Sequence, residues 1–148
     1  RENITNSKAY FTSIKVYQEN QIDITTSGQL KIEFTYKIKE NFKSLNLHLA
    51  LLDNYGQVIF SSAPEDIGVK KPLEKGKYTS IVTFPEDLLI PMNYSLKLIL
   101  WNDLSGSFTT YDVNEEIKFR PMETQSLINK TPGGRSGLIV LKCNWIIK

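Results

Sequence analysis

Residues 28–39 alternate without a break. Leu30, Ile32, Phe34, Tyr36 and Ile38 fall on one side, and Lys31, Glu33, Thr35, Lys37 and Lys39 on the other. A period of two, rich in β-branched and aromatic types, describes a strand with one dry face and one wet face. Such a strand constrains the rest of the chain, because its apolar face needs a second layer to cover it. The pattern then repeats. Leu45, Leu47, Leu49 and Leu51 share a parity within residues 44–53, Asn54-Tyr55-Gly56 turns the chain, and residues 57–60 return. Asn bonds its own backbone in turns and Gly permits positive φ. Residues 28–60 therefore predict an antiparallel meander.

The same reading extends along the chain. Residues 1–8 are polar and read as a tether from an upstream domain. Residues 9–17 form the first strand, with Tyr10, Ile14 and Val16 on one face and Phe11 and Tyr17 on the other. Residues 18–27 are a loop or small edge element. Pro64, Gly68 and Pro72 make residues 61–75 a long loop that can fold over one rim. Residues 76–84 return as a strand with Tyr78, Val82 and Phe84 together. Residues 85–91 are too short for a free-standing helix and fit a single helical turn crossing between sheets, limited by Pro91. Residues 92–101 place Met92, Tyr94, Leu96, Leu98 and Leu100 inward. A hairpin-like loop covers residues 102–107. The last main strand spans residues 108–120, with an irregularity at residues 112–115 where the alternation shifts phase.

No segment carries the 3.6-residue period of a long helix. Roughly seven or eight strands at these intervals predict an all-β fold, a two-layer antiparallel β-sandwich of immunoglobulin-like or jelly-roll-like type. Greek-key order is favoured over a simple meander. One domain over residues 9–148 suits a chain of 148 residues. Its expected core is Leu30, Ile32, Phe34, Tyr36, Leu47, Leu49, Val82, Leu96, Leu98 and Leu100. Beyond it, residues 121–136 read as a polar hinge and residues 137–148 as a terminal strand region. The strand Gly137, Leu138, Ile139, Val140 and Leu141 either completes its own sheet or exchanges with a second copy, since a long hinge and an open sheet edge permit both.

Composition removes several function classes. A net charge of +2, from 18 basic and 16 acidic residues, gives no field for a polyanion, so nucleic acid is not an expected partner. No apolar run approaches a membrane span, so no direct membrane insertion is expected. One Cys and one His speak against a disulfide framework and a Cys/His zinc site within one chain. The lone Cys143 is compatible with a reducing compartment. The pairs Glu65-Asp66, Glu86-Asp87 and Glu115-Glu116 lie in or beside loops, where carboxylates are usually solvated, whereas a glycosidase opposes two across a cleft. No nucleophile signature accompanies His48. The chain therefore reads as non-enzymatic, with no catalytic residue, metal or cofactor.

Sugars offer C–H faces that stack on aromatic rings and hydroxyls that need polar partners. Trp101 leaves its strand opposite the leucines, on the side of Lys97, and Tyr111 lies on the neighbouring strand. Asn46 and His48 have the same outward parity on theirs. Asn46, His48, Lys97, Trp101 and Tyr111 are thus the candidate glycan-binding residues, Lys97 being able to accept an isolated carboxylate or phosphate. Trp101 has the competing reading of a plug at the end of the second layer, and the direction of Tyr111 is obscured by the phase shift after it. The alternative function is a protein-binding adaptor that uses a sheet face or edge.

An ordered set of segments carries a family resemblance. It comprises Gly28 with its alternating strand, Leu51-Leu52-Asp53-Asn54-Tyr55-Gly56-Gln57-Val58-Ile59-Phe60, and Gly76-Lys77-Tyr78 leading to Phe84-Pro85. Leu88-Leu89-Ile90-Pro91-Met92-Asn93-Tyr94-Ser95-Leu96 follows, and the set ends with Gly134-Arg135-Ser136-Gly137-Leu138-Ile139-Val140-Leu141 and Trp145. The set resembles the C-terminal carbohydrate-binding domain of the ATPase subunit of bacterial O-antigen ABC exporters, the Wzt type. The resemblance implies a sandwich that dimerises by exchanging its final strand, making residues 137–141 the dimerisation candidates. It implies recognition of the end of a lipid-linked O-antigen polysaccharide before export. An upstream nucleotide-binding domain using ATP and Mg, a transmembrane exporter subunit as partner, and a cytoplasmic location at the inner face of the bacterial inner membrane are implied as well. No binding residue is carried over from the family, so the glycan candidates rest on strand parity.

Overall fold

The computed structural model describes residues 4–104, 106–123, 139–140 and 143–148, residues 139–140 by their backbone pairing alone. Its strands are β1 (Ala9–Tyr17), β2 (Lys31–Ile38), β3 (Asn46–Leu52), β4 (Val58–Ser62) and β5 (Gly76–Thr83). They continue as β6 (Tyr94–Leu104), β7 (Ser107–Asn114), β8 (Lys118–Phe119), β9 (Ile139–Val140) and β10 (Asn144–Ile147). One sheet is four-stranded, in the order β1-β2-β5-β10, and the other is six-stranded, in the order β7-β6-β3-β4-β9 with β8 also on β6. The two sheets form a two-layer β-sandwich.

The alternation in β2 becomes its burial pattern. Leu30, Ile32, Phe34, Tyr36 and Ile38 are all at most 1% exposed. They meet Leu47, Leu49 and Leu51 of β3 and Leu96, Leu98 and Leu100 of β6 from the other sheet, in one core. Each large side chain removed from water here contributes about 1.5–3 kcal/mol before conformational entropy is counted. Every member of the expected core is buried.

Several local expectations change. Residues 28–60 are not one meander: β3 and β4 pair as a hairpin, but β2 belongs to the opposite sheet. Period two reports which face of a strand is dry, and both sheets of a sandwich present a dry face, so the pattern does not assign strands to layers. Phe11 is also core, at 4% exposed, although strict alternation places it opposite Ile14 and Val16. A bulge explains this. Phe11 pairs with Tyr36 and Ser13 with Thr35, which leaves Thr12 as the extra residue and reverses the parity of β1. Residues 85–91 do cross between the sheets, but through a turn at Glu86-Asp87, with Asp87 at φ 56°, and without a helical turn. Finally, β9 pairs parallel to β4 (Phe60 with Ile139, Ser61 with Val140), an exception among otherwise antiparallel neighbours.

After β9 the chain returns to the first sheet, where β10 lies antiparallel beside β5. Trp145 in β10 is 3% exposed and packs edge-on to Phe34, with ring centroids 6.0 Å apart. Its indole Nε1 donates to Ser62 Oγ of β4 at 2.9 Å and so ties the two sheets together. Of the dimerisation candidates, Gly137, Leu138 and Leu141 lie outside the described residues. Ile139 and Val140 pair with β4 of the same chain.

Candidate functional site

Strand β6 organises the candidate site because it is an interior strand of its sheet and alternates from Tyr94 to Asp103. Tyr94, Leu96, Leu98, Leu100 and Asn102 point inward and are buried. Ser95, Lys97, Ile99, Trp101 and Asp103 line the outer face. The ladders place Trp101 opposite Asn46, Ile99 opposite His48 and Lys97 opposite Ala50. On the other flank, Trp101 faces Thr110, Asp103 faces Phe108 and Ile99 faces Val113. Asn46, His48, Lys97 and Trp101, four of the sequence candidates, therefore share one surface.

Tyr111 does not join them. The register jumps at Leu100/Trp101, where Leu100 pairs with Asp112 and Trp101 with Thr110, so Tyr111 is the bulged residue of β7. It turns to the inner side, edge-on to Phe42 at 5.0 Å, and its hydroxyl accepts a bond from the buried Asn102 amide at 2.8 Å. The phase shift noticed at residues 112–115 in the sequence begins at this bulge. Beyond it, the Asp112 carboxylate accepts the Phe11 N–H at 2.7 Å and joins β7 to β1.

Phe108 takes the place on the outer face that Tyr111 vacates. Its ring stacks on Trp101 with centroids 4.7 Å apart and planes 19° from parallel, and it is 65% exposed. As the partner of Asp103, Phe108 is the diagonal neighbour of Trp101, within reach for aromatic side chains. Sequence reasoning missed it because residues 102–107 were read as a loop. Extending β6 to Leu104 around a tight turn gives Phe108 outward parity, and that extension was the available signal.

The polar candidates are more engaged than parity suggests. The loop after β4 begins with a short 3-10 turn (Pro64–Ile67) and folds back past β3. Lys71 Nζ bonds Asn46 Oδ1 at 2.5 Å and Glu65 Oε1 at 2.6 Å. Burial lowers the His48 pKa below its ordinary value and outweighs the opposing pull of Asp66 and Glu65, with Lys97 acting in the same direction as burial. His48 is thus kept neutral, able to donate one hydrogen bond and accept another. Lys97 pairs with Glu115 at 3.1 Å, so its charge is already balanced. Cys143 is buried, which pushes its thiol up to about 11 and suppresses the nucleophilic thiolate. Among the described residues no group of three His, Cys, Asp or Glu side chains is placed to hold a metal ion, and no helix is long and apolar enough to cross a membrane.

The outer surface is therefore a sheet face on which the exposed Phe108 stacks on the half-buried Trp101, set among amide, hydroxyl, imidazole and paired-charge groups and the aliphatic Ile99 and Val113. No family model matches the chain, and no curated protein matches it. Among solved structures the chain is similar to one described as the crystal structure of the C-terminal domain of wzt, with a TM-score of 0.66. The alignment covers 82% of this chain and 77% of that chain at 11% identity. At that identity the likeness is one of fold.

Proposed function

We propose that this domain is a non-catalytic glycan-binding module that recognises a polysaccharide on the outer face of its six-stranded sheet. The observation that carries this reading is the stack of the exposed Phe108 on the half-buried Trp101, on an outer sheet face shared with Asn46, His48 and Thr110. An aromatic plane held open to water is suited to the C–H face of a pyranose, while Asn46, His48 and Thr110 are placed to serve hydroxyls. The fold likeness to the C-terminal domain of wzt and the order of sequence segments agree with this reading. We extend the proposal, on the resemblance of the sequence segments, to the end of a lipid-linked O-antigen chain presented to an ABC exporter at the inner face of the bacterial inner membrane. ATP hydrolysis would belong to a separate nucleotide-binding domain.

A shallow site buries little area and must still overcome rigid-body entropy, so affinity should be weak, on the order of 10–1000 μM. A second copy of the domain would offset that weakness through effective concentration. The two-residue β9 at the sheet edge is consistent with a homodimer that exchanges residues 137–141, because β4 offers the same ladder to a strand from either copy. Light scattering at twice the monomer mass would support the dimer, and a stable monomer at high concentration would exclude it.

The decisive binding test is a titration of O-antigen polysaccharides followed by NMR. Trp101→Ala and Phe108→Ala should each weaken binding at least tenfold with the fold intact. Unchanged titration in both folded variants would remove the site. A protein-binding adaptor is the second reading, favoured by the position of β7 at the sheet edge with Leu104 and Phe108 exposed beside it. A glycan-array screen run against a pull-down separates the two.

A further inference from the structure

At the opposite end of the same outer face, a groove of about 510 Å³ opens between the β3–β4 turn and β8. This is within the range of about 300–1,000 Å³ usual for small-molecule sites. Asp53, Asn54, Asn93, Ser95, Lys118 and Arg120 are among its lining residues. Strand β8 sets their direction. Tyr94 pairs with Phe119 and Ser95 with Lys118, and the Tyr94 and Phe119 rings stack at 5.6 Å. With Phe119 held on that side, Lys118 and Arg120 project outward beside Ser95.

The charges in this groove contrast with the one near the aromatic pair. Lys97 is paired with Glu115. Lys118 has no ion pair among the described residues. The Arg120 guanidinium is oriented by neutral acceptors only, the Pro91 carbonyl at 3.1 Å and Asn93 Oδ1 at 3.5 Å, so its charge is not cancelled. With its Oδ1 taken by Arg120, Asn93 keeps its amide N–H groups to donate. The opposing charge in the lining is Asp53, whose Oδ1 already accepts the Tyr55 and Gln57 backbone N–H groups at 2.8 and 2.9 Å. Two cations against one engaged carboxylate leave the groove net positive. A guanidinium has five N–H groups, so Arg120, with two of them on these neutral acceptors, keeps others for a carboxylate or phosphate oxygen.

We propose that this groove is a second glycan subsite, one that takes a sugar residue bearing a single anionic group. The anion would lie between Lys118 and Arg120, and the sugar hydroxyls would meet Asn54, Asn93, Ser95 and the free oxygen of Asp53. This rests on the glycan-binding reading above and specifies a substrate class for it. From Ser95 to Trp101 the strand rises about 20 Å, so one polysaccharide can place an acidic residue in the groove while a neutral residue stacks on Trp101.

The test is an amide NMR titration of the whole domain with glucuronate, glucose 6-phosphate, glucose and inorganic phosphate, each run separately. Glucuronate, glucose 6-phosphate or both should shift Asn93, Ser95, Lys118 and Arg120, and should do so less as salt is raised from about 50 to about 300 mM. The sugar that binds shows whether the preferred anion is carboxylate or phosphate. Glucose should leave these amides unmoved. Arg120→Gln should weaken binding about tenfold and Lys118→Gln severalfold, with melting temperatures unchanged because both side chains are exposed. Equal shifts from glucose, an unaltered titration in Arg120→Gln, or inorganic phosphate binding as tightly as the phosphosugar would each overturn the subsite. Polysaccharide binding that still depends on Trp101 would then leave the broader glycan reading standing. Loss of that dependence would show that the broader reading had failed instead.

Discussion

The two tryptophans occupy contrasting regions. Trp145 lies between the sheets, 3% exposed, with its indole N–H bonded to Ser62 and its ring edge-on to Phe34. Trp101 lies on the outer face of the six-stranded sheet, half-buried, with its ring parallel to an exposed Phe108. Edge-to-face packing in a dry core surrounds a ring on all sides. A parallel stack on a surface leaves a broad aromatic plane accessible. The first arrangement serves cohesion and the second suits recognition, although both residues extend from strands of the same sandwich.

Trp145→Ala should produce the largest loss, about 3–5 kcal/mol, because it empties core volume and removes the link between β10 and β4. Chemical denaturation would measure it, and a loss below about 1 kcal/mol would mean that β10 is not docked as described. Ser62→Ala comes next. It leaves the buried indole N–H without its acceptor at a cost of about 1–3 kcal/mol, read from the same denaturation curves. Trp101→Ala should cost only about 0.5–1.5 kcal/mol, the scale of an aromatic pair. A loss as large as that of Trp145→Ala would erase the contrast and make Trp101 a structural plug.

The smallest effect concerns pH. Burial lowers the His48 pKa from its ordinary value of 6.5, so below that pH the unfolded chain takes up the proton more readily than the folded one. The stability contribution of neutral His48 is present above pH about 6.5 and is lost as pH falls through the lower folded value. His48→Gln should flatten this part of a melting-temperature profile. A profile unchanged by the substitution would show that His48 is solvated like the open part of the Trp101 face.

Much of this was legible in the chain because period-two alternation is a local property. The inward leucines of β3 and β6 and the outward directions of Trp101, Lys97, His48 and Asn46 all follow from parity along unbroken strands. The readings of side-chain direction that failed did so where parity was interrupted. A bulge at Thr12 carried Phe11 into the core, and another at Tyr111 turned that ring away from the sheet face. A bulge depends on how two strands pair, and neither strand alone records it. Phe108 was hidden for the same reason, since its position beside Trp101 follows from the length of β6 and the tightness of the turn.

By itself, then, the sequence determined the fold class, the central core residues of the regular strands and the wet face of each of those strands. These follow from the alternation of apolar and polar side chains and the cost of leaving one face uncovered. Only the tertiary structure decided which strands share a sheet, how β2 and β3 part into opposite layers, and that Lys97 is neutralised while Lys118 and Arg120 are not. Those outcomes depend on residues brought together from distant parts of the chain. The free energy of such contacts is set by distance and burial, and neither quantity exists until the sheets have packed.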